Sequence, residues 1–165
     1  MANTDVTLGG ASVTPLSNQE RTGGFTHKFV IDHTDIDVGT GTTDTVTVSL
    51  GTLPANFLVS KAFLHVTEAF DYSGGEAGTL TVQLGTDGDP NNFVAATALI
   101  TTGTPVAADT ALGPASGVIA TAAGSASVSS DALEALFTNS AAGSPSLLNT
   151  GKLTILMQIS EIALA

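Results

Sequence analysis

GTLPANFLVSKAFLHVTEAFDYSGGEAGTLTVQLG, residues 51–85, decides the fold class. Leu50-Gly51-Thr52-Leu53-Pro54 punctuates the chain and rules out a helix there. The run 57–70 then alternates: Ala62, Leu64, Val66 and Phe70 share one face, and Lys61, Phe63, His65 and Thr67 share the other. Both faces carry some large apolar groups, which suits a strand covered in part on each side or one facing a second subunit. Gly74-Gly75 supplies turn residues, and Leu80, Val82 and Leu84 alternate with Thr79, Thr81 and Gln83. Residues 57–70 and 79–84 are therefore expected to pair antiparallel across a long connection.

Outward from this stretch, the same pattern recurs. Residues 25–32 (FTHKFVID) predict a first strand and 33–43 a polar loop. Residues 44–50 predict a strand with Val46, Val48 and Leu50 inward and Thr45, Thr47 and Ser49 outward. Residues 93–102 fit strand or helix, with strand favoured in the β-branched second half. The spacing of 131–137 (DALEALF) predicts a short helix capped by Ser130 or Asp131. Residues 103–126 predict a low-complexity excursion with a brief strand near Val118-Ile119-Ala120. Residues 152–164 predict a strong closing strand, with Leu153, Ile155, Met157 and Ile159 on one face and a central place in its sheet. The expected fold is all-β: an antiparallel β-sandwich, jelly-roll-like, with one short helix. Residues 1–24 read as an extended N-terminal arm, and 25–165 as a single sandwich domain.

The 165-residue chain has room for one domain with a real core. Charged residues are only 12%, against about 25% in ordinary globular proteins. Much of the surface must then be Thr, Ser, Gly and Asn, a composition suited to packing against protein. Net charge is −11, and Arg21, Lys28, Lys61 and Lys152 are the only fixed cations. So few cations argue against nucleic acid and against anionic membrane as partners. Without cysteine there are no disulfides or thiolate metal sites. The start of the chain lacks the basic and apolar regions of a signal peptide, and no run approaches the roughly 20 apolar residues of a membrane span. Synthesis in a cytoplasm is expected.

Asp87, Asp89 and Asn91 offer oxygens at alternate positions, as the first half of a calcium loop does. The glycine and the twelfth-position acid of that loop are missing, and a hairpin turn accounts for the same residues. Asp32, Asp35 and Asp37 beside His33 form a second acidic cluster, with zinc or calcium as one reading and a solvated loop as the other. His27, His33 and His65 are the only histidines, and no serine stands in a G-x-S-x-G elbow. Glu68 and Glu76 are a possible carboxylate pair, but one Tyr and no Trp leave little for a sugar to stack on. The expectation is a protein that is not an enzyme.

The order of a polar arm, LPANFLVSKAFLHVTEAF, GTLTVQLGTDGD, FVAATALIT and GKLTILMQI resembles small auxiliary virion proteins of tailed bacteriophages, in particular capsid decoration (cement) proteins. The resemblance spans residues 44–162. It implies a β-rich structural protein on the virion surface that binds and stabilises the major capsid protein lattice as a homo-oligomer, such as a trimer, after synthesis in the host cytoplasm. On that reading Thr4, Val6, Leu8, Val13 and Leu16 of the arm, with Phe63 and His65, are the expected capsid or subunit contacts. A phage head fibre, a tail adhesin and a calcium-dependent extracellular binding module are the alternatives.

Overall fold

A computed structural model describes residues 17–36, 45–55, 57–72, 78–112, 131–140 and 148–161. A short helix α1 (Asn18–Thr22) leads into β1 (His27–Asp32), a single helical turn α2 (His33–Ile36), β2 (Thr45–Leu53) and β3 (Phe57–Tyr72). Then follow β4 (Thr79–Thr86), β5 (Asp89–Thr101), β6 (Thr104–Pro105), β7 (Thr110–Leu112), β8 (Asp131–Ser140) and β9 (Leu148–Glu161). The strands form two antiparallel sheets, β1-β9-β3-β7 (sheet A) and β2-β8-β4-β5-β6 (sheet B). The fold is thus an all-β sandwich.

The pairings β1–β9, β2–β8, β3–β7 and β4–β5 are those of one long hairpin, turned back at Asp87-Gly88. Rolling that hairpin sets β9 against β3 and β8 against β4, which makes two layers from one ribbon. Alternation drives the closure. Phe29 and Ile31, Leu64, Val66 and Phe70, Leu80, Val82 and Leu84, and Leu153, Ile155 and Met157 are all fully buried in a common core. The closing strand is interior to its sheet, as its apolar run predicts, and Thr154 and Leu156 on its other face are buried too.

Four local expectations are corrected. Residues 131–137 are strand, not helix. Leu133, Leu136 and Phe137 fit a helical stripe, but Leu133, Ala135 and Phe137 alternate, and it is these three that are fully buried between β2 and β4. A seven-residue helix is marginal alone, so ladder pairing on both sides decides. The runs 57–70 and 79–84 are not partners: β3 lies in sheet A and β4 in sheet B, their apolar faces meeting across the core. Within the expected extended arm, residues 18–22 are helical, and within the expected loop after β1, residues 33–36 are helical. Gly74-Gly75, Glu76 and the 118–120 segment lie outside the described residues.

Two glycines mark close approaches. At Gly151, φ is +136° and a Cβ would stand 2.1 Å from the Phe70 ring, so the ring lies directly on the β9 backbone. At Gly85 a Cβ would meet the Asp89 carbonyl at 2.0 Å, where β5 folds tightly over the end of β4.

One buried hydrogen bond ties the layers together. Tyr72 Oη of sheet A donates to Asn139 Oδ1 of sheet B at 2.8 Å. Burial pushes the Tyr72 hydroxyl from 10.0 up to about 12. The native state holds this proton where the unfolded chain releases it. The associated stability is therefore complete below pH 10 and is lost as pH climbs towards 12. Tyr72→Phe strips Asn139 of this donor and should cost about 1–3 kcal/mol at neutral pH. Denaturant titrations near pH 8 and pH 11 should show wild type losing more stability between the two than the variant does.

Candidate functional site

The outer face of sheet A is the surface that the sequence marks most strongly. With Phe29, Ile31, Leu64, Val66, Leu153 and Ile155 turned inward, the intervening residues must face out. Register then sets them in rows. Lys28 lies beside Leu156, and Leu156 beside Phe63. Val30 lies beside Thr154, Thr154 beside His65, and His65 beside Ala111. Asp32 and Glu68 flank Lys152.

At one end of this face the chain arrives from α1. Lys61 Nζ donates to the Gly23 carbonyl at 3.0 Å and lies 4.8 Å from the centre of the Phe25 ring, a cation–π contact. Phe25 and Phe63 form a tilted pair with centroids 6.2 Å apart. Thr26 stitches the junction to β9: its N–H donates to the Met157 carbonyl at 2.8 Å, and its hydroxyl accepts from the Ile159 N–H at 2.8 Å. Phe63 and His65 are half-buried on this face. The other expected contacts, Thr4, Val6, Leu8, Val13 and Leu16, lie outside the described residues.

Three of the four fixed cations gather on this one side. Lys28, Lys61 and Lys152 project from β1, β3 and β9, and Arg21 lies on α1, just before β1. They are far apart in sequence, which hid the grouping. The signal that could have found it is parity: Lys28 falls out of phase with Phe29 and Ile31, Lys61 with Ala62, Leu64 and Val66, and Lys152 with Leu153, Ile155 and Met157. Sheet B presents the opposite character. Thr45, Thr47, Ser49 and Thr52 are exposed along β2, and Thr81, Gln83 and Thr138 lie beside one another on the neighbouring strands.

The acidic cluster after β1 is a helix cap. Asp32 accepts from the Thr34 N–H at 2.9 Å and from the Thr34 hydroxyl, while Asp35 Oδ2 accepts from the Asp32 N–H at 2.9 Å. This reciprocal pattern is a capping box at the start of α2. The Thr34 hydroxyl bond is the main cause that holds the Asp32 carboxyl below its usual value. Asp37 lies outside the described residues.

Of the calcium candidates, Asp87 is in the β4–β5 turn, while Asp89 and Asn91 are exposed on β5. The hairpin turn is present, and the Asp87 N–H donates to the Ala132 carbonyl at 3.1 Å. Among the described residues, no group of three or more His, Asp or Glu side chains is placed to share a metal ion. Asp87 instead acts on Glu134 of β8. Burial first, then the Asp87 and Asp131 charges, raise the Glu134 carboxyl. Stability tied to this group is present below the ordinary glutamate range and is lost as pH rises through the raised value. Glu134→Gln should therefore raise the melting temperature at pH 7, and the two proteins should converge below about pH 4; thermal melts across that range check it.

No protein-family model matches the chain, no curated protein is significantly similar to it, and no solved structure matches its fold significantly.

Proposed function

We propose that this chain is a structural protein of a tailed-phage virion, a decoration protein that binds the outer surface of the head and stabilises it. The observation that carries the reading is the rolled-hairpin strand order joined to two broad, differently built faces. We read that order as a jelly roll, an architecture common in capsid proteins. A sandwich of this kind has one hydroxyl-rich face, on sheet B, and one aromatic and cationic face, on sheet A. Both are suited to packing against protein, so the molecule can meet the lattice on one side and its own kind on the other. The uncharged Thr and Ser rows of β2 can lie against a capsid surface without the cost of desolvating charges.

The reading needs no reaction centre, cofactor or metal. Its partner is the major capsid protein lattice, and its place is the virion surface. Heads purified without this protein, from a phage whose genome encodes the chain, test the reading. Added protein should co-sediment with them at a fixed ratio to capsid subunits. It should also raise the temperature at which filled heads release DNA, because a ligand bound only to the intact state stabilises that state. Protein that remains wholly in the supernatant overturns the reading.

A further inference from the structure

We infer that the free edge of β2 is where two copies of this chain join, antiparallel, so that sheet B runs on from one copy into the other. The inference concerns the chain alone and stands apart from the virion reading. It starts from the backbone. An edge strand presents a row of N–H and C=O groups with no partner in the ladder, and natural proteins blunt such edges with charge, proline, bulges or short length.

The other edges are blunted. In sheet A, β1 carries Lys28 and Asp32 and passes directly into α2. At the far side β7 is three residues long, and beyond it the edge passes to β3, which carries Lys61, Glu68 and Asp71. In sheet B, β6 is two residues long and includes Pro105. Beyond it the edge passes to β5, which begins with Asp89-Pro90 and whose register against β4 slips three times. β2 differs from all of these. It runs nine residues, TVTVSLGTL, with no charge and no proline. Among the described residues it pairs with β8 alone. The short α2 lies near it and puts Ile36 in the core, and among the described residues no hydrogen bond joins the two. Its one irregularity is the bulge between Ser49 and Gly51, which leaves residues 45–49 as an unbroken run.

That run is complementary to itself, as a two-fold contact requires. A two-fold axis normal to the sheet at Thr47 sets Thr47 opposite Thr47 of the partner subunit. Thr45 then stands opposite Ser49 of the partner subunit, and Val46 opposite Val48 of the partner subunit. Antiparallel residues directly opposite one another share a face, so the exposed hydroxyls stay outside and the valines stay on the core side. Val48 is the residue that gains. Val46 and Leu50 on the same face are buried, whereas Val48 packs against the core and is only partly covered. A strand added beside β2 completes its cover. Charge acts in the same direction. Copies of net charge −11 repel one another, and residues 45–49 are a stretch where backbones can meet without bringing two carboxylates together.

The contact is short. At about 3.4 Å per residue the run spans roughly 17 Å, less than a standard interface of about 800 Å² per partner needs. The pair is therefore a weak and reversible one. It leaves the outer face of sheet B uncovered and makes its threonine and serine rows continuous across two copies.

Sedimentation equilibrium of the full chain, from about 10 µM to 1 mM, tests the inference at the concentrations a weak pair calls for. A monomer–dimer equilibrium is expected, and added salt should tighten it by screening the repulsion between acidic copies. Thr47→Lys and Thr47→Glu each set like charges face to face at the axis and should raise the dissociation constant at least tenfold. An equimolar mixture of the two variants should form a mixed dimer tighter than either makes alone. Mixing cannot repair a folding defect, and circular dichroism of each variant checks the fold separately. Gln83→Lys, on the interior strand β4, should leave the dimer unchanged. A mass of one or three chains throughout overturns the inference, as does a dimer indifferent to both Thr47 variants. Mixed variants that fail to pair overturn it too, and so does a dimer lost with Gln83→Lys, since that result places the contact on the face of sheet B and not at its edge.

Discussion

Everything in the sandwich leans on the double pairing of β9. It is hydrogen-bonded to β1 along one edge and to β3 along the other, and from Leu153 to Met157 it is buried on both faces. A strand in that position has no solvent to fall back on for its backbone groups, so its two neighbours must supply every partner. The Phe70 ring laid over Gly151 shows how closely the sheet is drawn around it. Because β1 and β3 meet only through β9, the outer face of sheet A exists as a surface only when this strand is in place. The rows of aromatic and charged residues on that face are a product of its register.

That face and the face of sheet B divide the chemistry of the surface between them. Sheet B shows threonine and serine, with Asp87, Asp131 and Glu134 crowded near one end. Sheet A holds the lysines, with Phe25 and Phe63 between them. The molecule is therefore two-sided in charge and in texture. This asymmetry, and not a pocket or a constellation of reactive groups, is what the virion reading draws on.

Much of the fold was legible because alternation is a local signal. The inward sets on β2, β3, β4 and β9 follow from period two alone, and the central place of β9 follows from its apolar run. The sequence misled where two periods coincide. In DALEALF, Leu133, Leu136 and Phe137 fit a helical stripe while Leu133, Ala135 and Phe137 fit a strand face, and only the neighbours β2 and β4 choose between them. Pairing partners were less legible still. Nothing between Tyr72 and Thr79 says whether the chain turns within a sheet or crosses to the other one. The candidate site was half legible: Phe63 and His65 fall out of the alternation of β3, whereas the grouping of the cations required the register of β1 against β9. The acidic run after β1 looked like a ligand set because spacing cannot reveal that Asp32 and Asp35 already serve the backbone of α2.

The rolled hairpin has a consequence in time as well as in space. Its turn at Asp87-Gly88 is closed by neighbours in sequence, but each further rung joins residues more distant along the chain, up to Thr26 and Met157, 131 positions apart. Closing such loops costs entropy before any burial returns it, so folds dominated by non-local pairs form slowly, over milliseconds to seconds. Until β9 arrives, β1 and β3 hold their apolar rows open to one another and to other chains. During that interval the low charge of the strands gives little protection, and a crowded cell producing many copies meets its greatest risk of misassembly.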